Sequence, residues 1–527
     1  MTAELTHKKM NGVVYTPLSV AYSVAKFSLD QSPSTRTVIE PSCGDGAFVK
    51  ALRQLEGGEK LAITAVDIDA SALELVAAND REILAQNEDY LSFSRNTDAS
   101  YDLVIGNPPY VRRHNFTKAL KDSIKDLSVR TEYPEAQLKN AWVAFVVASC
   151  ELMSSDGSLA FIVPYELVTV SYGKYLRQWL ISKHRRVDIF IPRQKAFRDI
   201  DQDAVFLLVS NSRKRNSGSY LHSVDGLDAL GMETDSVPAS ISFDPIIEKS
   251  YLLDGQDIEI IEKIRKSTGS IGDYCSSSAG TVTAANDYFI LSGSDVEKYG
   301  LRAWARPILK KGAYVKSLPI FSDEDFEKLA AVEPCFLIDF CRKGAPPLDS
   351  HAFSYIEAGE KAGFNTRYKT RHRSPWYRVP VVPETGALFF KRSHKLPKFC
   401  LNHAGVLATD TAYQVKAKAD FSVEAICFSF YNSLTALFCE IEGRFYGGGV
   451  LELTPVEFRG LPLEYTSPST AQFKDFCSIA ARSGDLLSFG DMWLRQKLNL
   501  SDAEMLTIRN ALDVLQKHRL RHGKSLS

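Results

Sequence analysis

Short apolar runs alternate with segments of helical periodicity between Val38 and Asn211, and no other feature constrains the fold as strongly. The runs TVIEP, KLAITAVD, SYDLVIG, GSLAFIVP and AVFLLVS contain β-branched residues, and apolar residues recur at helical spacing between them. Apolar strands that alternate with helices are typical of a parallel sheet covered by helices on both faces. The sequence therefore predicts a doubly wound α/β domain over residues 1–212.

The rest of the chain has a different pattern. At 527 residues the chain is too long for one hydrophobic core, because single cores stop growing at about 250–300 residues. Residues 213–245 are rich in Ser, Gly and Asp, so we expect a linker there. Residues 246–465 mix short helical and β-rich pieces and predict a separate α+β domain, whereas residues 466–527 predict a helical extension. Ser501 and Glu504 form a capping box in that extension.

The composition excludes several classes of protein. Hydrophobic residues make up 45% and charged residues 24% of the chain, and no apolar run is long enough to span a membrane. The first residues lack a secretory signal, so we expect a cytoplasmic protein, with a monomer as the default. Nine scattered cysteines and ten histidines show no metal-binding spacing, and we expect no metal. A net charge of −1 leaves open a basic groove balanced by acidic surfaces.

A glycine turn follows the first strand, at a place where open α/β sheets bind nucleotide-like ligands. Gly44 and Gly46 in EPSCGDG let a ligand approach the backbone. The next strand ends at Asp67, whose carboxylate is suited to accept both hydroxyls of a ribose. The alternatives are a purely structural turn and helix capping by Asp67 and Asp69.

The segment Asn107-Pro108-Pro109-Tyr110 ends the strand YDLVIG and is the most specific motif in the chain. An exocyclic ring amine is a poor nucleophile because its lone pair is delocalised. Hydrogen-bond acceptors such as the Asn107 side-chain oxygen and the Pro108 carbonyl would localise that lone pair, while the prolines hold the turn rigid. Tyr110 would stack on the ring. The alternative is a proline turn with a buried tyrosine.

The motifs of this chain resemble those of gamma-class (TaqI-type) DNA adenine-N6 methyltransferases. They occur in the order GVVYTP, VIEPSCGDGAF, VDID, NEDYLSF and DLVIGNPPY. The resemblance implies a Rossmann-like S-adenosylmethionine-dependent methyltransferase domain followed by an α+β target-recognition domain. It also implies methyl transfer to N6 of an adenine flipped out of duplex DNA, in a restriction-modification or related defence system. A separate restriction endonuclease or defence subunit would be the partner.

The resemblance assigns site residues by position. Thr16, Glu40 and Ser42 would lie near the methionine part of the cofactor, and Asp67 at its ribose. The whole implied cofactor set is Tyr15, Thr16, Glu40, Ser42, Gly44, Gly46, Asp67, Ile68, Asp89 and Tyr90. Ile68, Asp89 and Tyr90 would surround the cofactor adenine. Phe197 would cover the second face of the flipped base, although ordinary core packing is its alternative.

Two basic segments are candidates for DNA contact. The polar stretch VRRHNFTKALKDSIKDLSVRTEYPEAQ, which separates the Asn-Pro-Pro-Tyr motif from the next predicted helix, departs from the family pattern. It contains Arg112, Arg113 and Lys118, which could face DNA phosphates. The alternative interpretation is that these residues lie in a solvated loop. The second segment interleaves basic and aromatic residues, namely Arg367, Lys369, Arg371, Arg373, Trp376 and Arg378. A solvated basic face is its alternative.

Two other functions compete with DNA methylation. Protein-glutamine N5 methyltransferases use the same turn to hold an amide, but they typically carry their extra domain before the cofactor domain. Here a large domain with a basic aromatic segment follows, which favours DNA. A non-catalytic DNA-recognition subunit would be expected to lose Asn107 or a turn glycine, and these residues are present.

Overall fold

The computed structural model describes residues 16–193, 203–231, 238–316, 318–342, 347–446, 449–482 and 484–520, so Tyr15 and Phe197 lie outside the described residues. The chain forms two compact units. The first contains the described residues through Asp254 together with Tyr446, whereas the second contains the described residues of Gly255–Phe445 and Gly449–Leu520. No helix within the described ranges is long and apolar enough to cross a membrane.

The first unit is built on one large sheet. Its strands are β1 (Thr37–Pro41), β2 (Ala62–Asp67), β3 (Leu84–Asn87), β4 (Tyr101–Gly106), β5 (Met153–Pro164), β6 (Arg186–Pro192), β7 (Ala204–Ser210), β8 (Gly218–Val224) and β9 (Ala239–Ser240). Its helices are α1 (Leu18–Gln31), α2 (Ala47–Arg53), α3 (Ala70–Asn79), α4 (Tyr90–Asn96), α5 (Lys118–Thr131), α6 (Ala141–Leu152), α7 (Glu166–Thr169) and α8 (Ser171–Lys183).

The strand order is β3-β2-β1-β4-β5-β7-β6-β8-β9. Strands β1 to β5 pair with one another in parallel, and β1 pairs with β2 from Thr37–Ala62 to Pro41–Val66. The carboxyl ends of β1, β2 and β4 therefore lie at one edge of the sheet. This order matches the dinucleotide-binding order 3-2-1-4-5-6 except that β7 is inserted between β5 and β6.

The predicted parallel sheet is confirmed for β1 to β5, but β7 runs antiparallel to β5 and β6. The link between Pro192 and Ala204 is shorter than the dozen or more residues of a helical crossover, so the chain returns beside β6 in the opposite direction. The linker prediction for residues 213–245 is wrong, because β8 pairs in parallel with β6. Leu221 and Val224 of β8 are buried, and the polar residues around them concealed this short strand in the sequence.

The core of the first unit lies between α1, α2 and the sheet. Val24 of α1 and Phe48 of α2 are fully or almost fully buried and pack in one cluster with Leu103, Ile105 and other strand residues. In α1 the buried positions recur at helical spacing, which explains why this segment forms a helix along the sheet. The core thereby holds the strand ends that carry the predicted site in fixed register.

The second unit is α+β. Its strands are β10 (Gly269–Ser270), β11 (Cys275–Ala279), β12 (Ile290–Leu291), β13 (Ala305–Leu309), β14 (Ile320–Phe321), β15 (Phe336–Ile338), β16 (Ala387–Phe390), β17 (Arg392–Ser393), β18 (Lys398–Asn402), β19 (Leu407–Ala408), β20 (Ala412–Ala417), β21 (Arg444–Tyr446), β22 (Val450–Glu452) and β23 (Pro462–Leu463). Its helices are α9 (Gly255–Lys266), α10 (Ile271–Tyr274), α11 (Asn286–Phe289), α12 (Gly293–Lys298), α13 (Asp323–Ala330), α14 (Ser350–Lys361), α15 (Val423–Phe430), α16 (Ser433–Glu442), α17 (Pro455–Gly460), α18 (Thr470–Ala481), α19 (Leu486–Leu498) and α20 (Asp502–Leu520).

Two sheets organise this unit. One has the order β11-β20-β16-β18-β14 and the other the order β12-β15-β13-β19. The predicted capping box at the start of α20 is confirmed, since Ser501 N–H donates to Glu504 Oε2 at 2.9 Å and Glu504 N–H donates to Ser501 Oγ at 3.2 Å. The last helix packs within the second unit, where Arg519 forms a buried ion pair with Glu440 at 2.7 Å. Helices α18, α19 and α20 lie within the range predicted as a helical extension.

Candidate active site

The turn after β1 has a left-handed backbone at three positions, Ser42 (φ 59°), Gly44 (φ 51°) and Gly46 (φ 72°). Gly46 immediately precedes α2, and a Cβ atom there would lie 2.7 Å from Cγ2 of Val76 on α3. Glycine is therefore required at Gly46 by both backbone conformation and close packing. The N–H groups of Cys43 and Gly46 donate to the carbonyls of Val66 and Cys43, and these bonds fix the turn at the carboxyl end of β1.

Asp67 holds this turn in place. Its Oδ2 accepts a hydrogen bond from Gly44 N–H at 2.8 Å, and its Oδ1 accepts one from Asp69 N–H at 2.9 Å. Asp69, and not Asp67, caps α3 by accepting from Ser71 N–H at 3.0 Å. The side chain of Ile68, between the two acids, is 75% exposed and offers an apolar surface at the end of β2.

Glu40 lies at the end of β1 and is buried. Its Oε2 accepts a hydrogen bond from Val49 N–H on α2 at 3.1 Å. Burial raises the pKa of Glu40 well above its ordinary value, and the nearby carboxylates of Asp45 and Asp67 raise it further. Three acidic side chains therefore gather around one turn, and the raised pKa of Glu40 favours the neutral form of its carboxyl.

Asp89 and Tyr90 follow β3 and have different roles. Asp89 caps α4 through Ser92 N–H at 3.0 Å, and it also accepts from Ser123 Oγ of α5 at 3.3 Å. Tyr90 is buried, its hydroxyl shares a hydrogen bond with Ser149 Oγ at 2.8 Å, and its ring packs on Phe145. The Tyr90 ring is thus part of the core, and the position of Tyr90 at the cofactor adenine stays a prediction.

The Asn107–Tyr110 segment begins directly after β4, beside the end of β1. A Cβ atom on Gly106 would lie 3.3 Å from the Pro41 carbonyl oxygen, which shows how closely the two strand ends approach. Asn107 Nδ2 donates to Oγ1 of the buried Thr16 at 3.1 Å, and this bond orients the amide. The structure thus brings Thr16, Asn107 and the β1 turn together at one edge.

Tyr110 is largely buried. Its hydroxyl donates to the Ile162 carbonyl of β5 at 3.3 Å. Burial raises the pKa of Tyr110 well above its ordinary value, and the carboxylates of Asp203 and Glu166 add to the shift, so the phenol is neutral at pH 7. Burial and the bond to β5 hold the ring in place. Pro108 is buried and Pro109 half-buried on either side of the turn.

The segment after Tyr110 is not the plain polar stretch that the sequence predicts, because it contains α5. Thr117 caps this helix by accepting from Leu120 N–H at 3.2 Å, and Ile124 and Leu127 are buried. Arg112 lies 3.6 Å from a carboxylate oxygen of Glu166, and Arg113 lies 2.7 Å from one of Glu135. The structure therefore ties both arginines to neighbouring acids.

In the second unit, the predicted basic segment divides into structural and exposed residues. Arg367 forms two hydrogen bonds with the Asp287 carboxylate, at 2.9 and 2.8 Å. Arg373 donates to the carbonyls of Thr283 at 2.8 Å and Val282 at 2.9 Å. Trp376 donates to Glu360 and packs in an aromatic cluster.

Arg373 and Trp376 are half-buried and support the fold, whereas Arg367 is exposed, as are Tyr368, Lys369, Arg371 and Arg378. Tyr368 belongs to this segment but is not among the residues that the sequence analysis names as candidates for DNA contact. Its side chain is 72% exposed, and the Arg371 guanidinium lies 5.3 Å from its ring centroid. Its position between two basic residues was the available signal.

The strand order, the glycine turn after β1, the acidic end of β2 and the polar end of β4 define a Rossmann-like S-adenosylmethionine-dependent methyltransferase domain. An α+β domain follows it, as predicted. Among the described residues there is no group of three His, Cys, Asp or Glu side chains that could hold a metal ion.

Two family models match the chain. Residues 20–197 match the Eco57I restriction-modification methylase, and residues 248–489 match the C-terminal domain of the Type II methyltransferase M.Eco57I. The chain therefore carries a methylase domain and a C-terminal domain of the Eco57I restriction-modification type, in that order. This confirms the predicted family resemblance.

Two curated relatives match this chain over most of its length and most of their own. The Type II methyltransferase M.AccI of Acinetobacter calcoaceticus is 24% identical over 87% of this chain and 86% of its own length. M.XamI of Xanthomonas campestris pv. amaranthicola is 22% identical over 85% and 84%. Among solved structures, the Type IIL restriction-modification enzyme MmeI in complex with DNA matches with a TM-score of 0.53 and 11% identity, over 95% of this chain and 75% of MmeI.

A second structure is the nuclease-deletion mutant of the Type ISP restriction-modification enzyme LlaGI, in complex with a DNA substrate mimic. It matches with a TM-score of 0.51 and 12% identity, over 88% of this chain. The chain spans only 54% of that protein. At such low identity these two structures support the fold of the chain.

Proposed function

We propose that this chain transfers a methyl group from S-adenosylmethionine to N6 of an adenine in duplex DNA. It would act as the modification enzyme of a restriction-modification or related defence system, as the names of its relatives suggest. The observation that carries the proposal is the position of Asn107–Tyr110 at the end of β4, beside the glycine turn that ends β1.

The turn supplies what an exocyclic amine needs. The Asn107 side-chain oxygen and the Pro108 carbonyl accept the two amine hydrogens and thereby localise the nitrogen lone pair. The bond from Asn107 Nδ2 to Thr16 fixes the amide, so its oxygen is positioned before substrate binds. A neutral Tyr110 stacks on the base, a contact worth about 1–3 kcal/mol.

The cofactor would supply an electrophilic methyl group on its sulfonium. The bond from N6 to the methyl carbon would form in line as the carbon–sulfur bond breaks, with S-adenosylhomocysteine as the leaving group and one proton released from the amine. The chain holds the cofactor through the turn backbone near Gly44, the Glu40 carboxyl and the Asp67 carboxylate. Each carboxylate oxygen of Asp67 has a second lone pair beyond its present backbone bond, so it can also accept a ribose hydroxyl. Ile68 offers the exposed apolar surface for the cofactor adenine.

The test is methyl transfer from radiolabelled S-adenosylmethionine to unmethylated genomic DNA, followed by digestion to nucleosides. We expect label in N6-methyladenosine within one recurring sequence, and loss of label with Asn107→Ala. Asn216→Ala, an exposed asparagine between β7 and β8, is the control and should retain activity. Label in methylcytosine would contradict the adenine assignment, and label in protein would favour glutamine methylation.

A further inference from the structure

Helix α5 has two faces of different character. Ile124 and Leu127 are buried against the first unit, whereas Lys118, Lys121 and Lys125 are exposed. Positions separated by three, four and seven residues share one face of a helix. The three ammonium groups therefore form a row, here called the α5 lysine row, and the exposed Asp122 lies beside it.

The row differs from the other cations near it. Arg95 lies 3.5 Å from the Asp126 carboxylate, and Arg130 pairs with Glu151. Arg112 and Arg113 are likewise tied to acids. By contrast, no ion pair of Lys118, Lys121 or Lys125 is present within the parts of the chain that the structure describes. The row therefore keeps its charge available to an anion.

The helix is fixed near the candidate active site. Ser123 Oγ donates to the Asp89 carboxylate at 3.3 Å, and Asp89 follows β3 at the same sheet edge as the glycine turn. Arg130 donates to Ser94 Oγ on α4 at 2.7 Å. These contacts hold the inner face of α5 in place, so the backbone positions of the exposed lysines are fixed.

We propose that the α5 lysine row binds the phosphate backbone of the DNA substrate and so adds a sequence-independent part of its affinity. At about 1.5 Å rise per residue, the lysines are spaced by about 4.5 and 6 Å along the helix axis. Their flexible side chains are suited to point-charge contact with phosphates and not to base reading. This inference rests on the proposed function, since it takes duplex DNA as the substrate.

The test compares two triple variants of the full chain. Lys118→Gln/Lys121→Gln/Lys125→Gln removes the row, and glutamine keeps helix propensity. Lys60→Gln/Lys183→Gln/Lys214→Gln removes three exposed lysines from the opposite edge of the same sheet, so its net charge changes equally. DNA binding by wild type and both variants is measured between 50 and 200 mM KCl. One unmethylated duplex contains the sequence that the chain modifies, and the other lacks it.

We expect the row variant to lose up to about 2.7 from the slope of log affinity against log salt, on both duplexes. Over that salt range the wild-type chain would then lose about 40-fold more affinity than the variant. The control variant and S-adenosylmethionine binding should be unchanged. A wild-type slope in the row variant, or an equal loss in the control, would overturn the inference.

The outcomes separate this inference from the proposed function. Methyl transfer to DNA together with an unchanged slope in the row variant would support the proposed function and contradict the role of the α5 lysine row. A reduced slope in the row variant, with no methyl transfer by the wild-type chain, would support the row as a DNA contact and contradict the proposed function. If the wild-type chain binds neither duplex, both the proposed function and the role of the row are contradicted.

Discussion

Both oxygens of the Asp67 carboxylate already accept backbone hydrogen bonds, from Gly44 and Asp69. The residue that would bind the ribose therefore also shapes the turn that approaches the cofactor. Such a supporting bond holds a binding group in its productive geometry before the ligand arrives. Loss of the carboxylate should consequently affect the turn and the ribose contact together.

We expect Asp67→Asn to weaken S-adenosylmethionine binding by about 10- to 100-fold, because an amide N–H group would face one of the two backbone donors. Isothermal titration calorimetry measures this effect. Asp69→Asn is the matched control, since asparagine also caps helices, and its affinity should stay within about twofold of wild type. Equal affinities of Asp67→Asn and wild type would contradict the role of Asp67.

Asn107→Ala should separate chemistry from cofactor binding. Removal of a positioned acceptor of transition-state charge costs about 10²–10³-fold in rate, whereas the glycine turn and Asp67 remain intact. Single-turnover methylation and cofactor titration measure the two properties. If cofactor affinity falls as far as the rate, the substitution has damaged the fold and the assigned role is not supported.

At the scale of elements, the sequence pattern predicted β1, β2, β4, β5 and β7, because each contains a continuous apolar run, but it did not predict the short, mostly exposed β3. It failed for α5, whose inner face rests on few apolar residues, such as Ile124 and Leu127, within a highly charged stretch. It also failed for β8, where serine and histidine alternate with buried residues. Strand-end motifs such as Asn107–Tyr110 were placed well, because a parallel sheet brings carboxyl ends to one edge.

The basic segment of the second unit shows a different limit. Composition correctly indicates a concentration of charge, but it cannot distinguish Arg373, which binds carbonyls of its own fold, from the exposed Arg371. The partners of Arg373 are about ninety positions away along the chain, so only tertiary structure reveals them. Burial of the Arg373 side chain lowers its pKa, in keeping with a supporting role.

We expect Arg373→Gln to lower the free energy of unfolding by about 1–3 kcal/mol, because two backbone carbonyls lose their donor. Arg371→Gln should change that free energy by no more than about 0.5 kcal/mol. Urea denaturation compares the two. Equal stability of both variants would show that the Arg373 contacts do not support the second unit.

For the whole molecule, the net charge of −1 gives no sign of nucleic-acid binding. The structure explains this, because acids and bases are sorted locally. Glu40, Asp45 and Asp67 gather at the turn that would hold a cationic cofactor, while lysines line the exposed face of α5. Charge distribution, and not total charge, is what relates this chain to its proposed ligands.

The acidic turn also predicts how stability depends on pH. Because the pKa of Glu40 is raised in the folded chain, the folded state holds a proton that the unfolded state releases first. The contribution of Glu40 to stability is therefore complete below the ordinary carboxyl pKa. It is lost as pH rises toward the raised value, and it is constant above that value.

We expect cofactor-free Glu40→Gln to lack this decline, because glutamine does not titrate. Urea denaturation of wild type and variant from pH 4 to 8 gives the difference in unfolding free energy, in which the other titrating groups cancel. That difference should shift in favour of the variant as pH rises. A difference independent of pH would mean that Glu40 titrates alike in both states, and an opposite slope would mean that the turn stabilises its carboxylate.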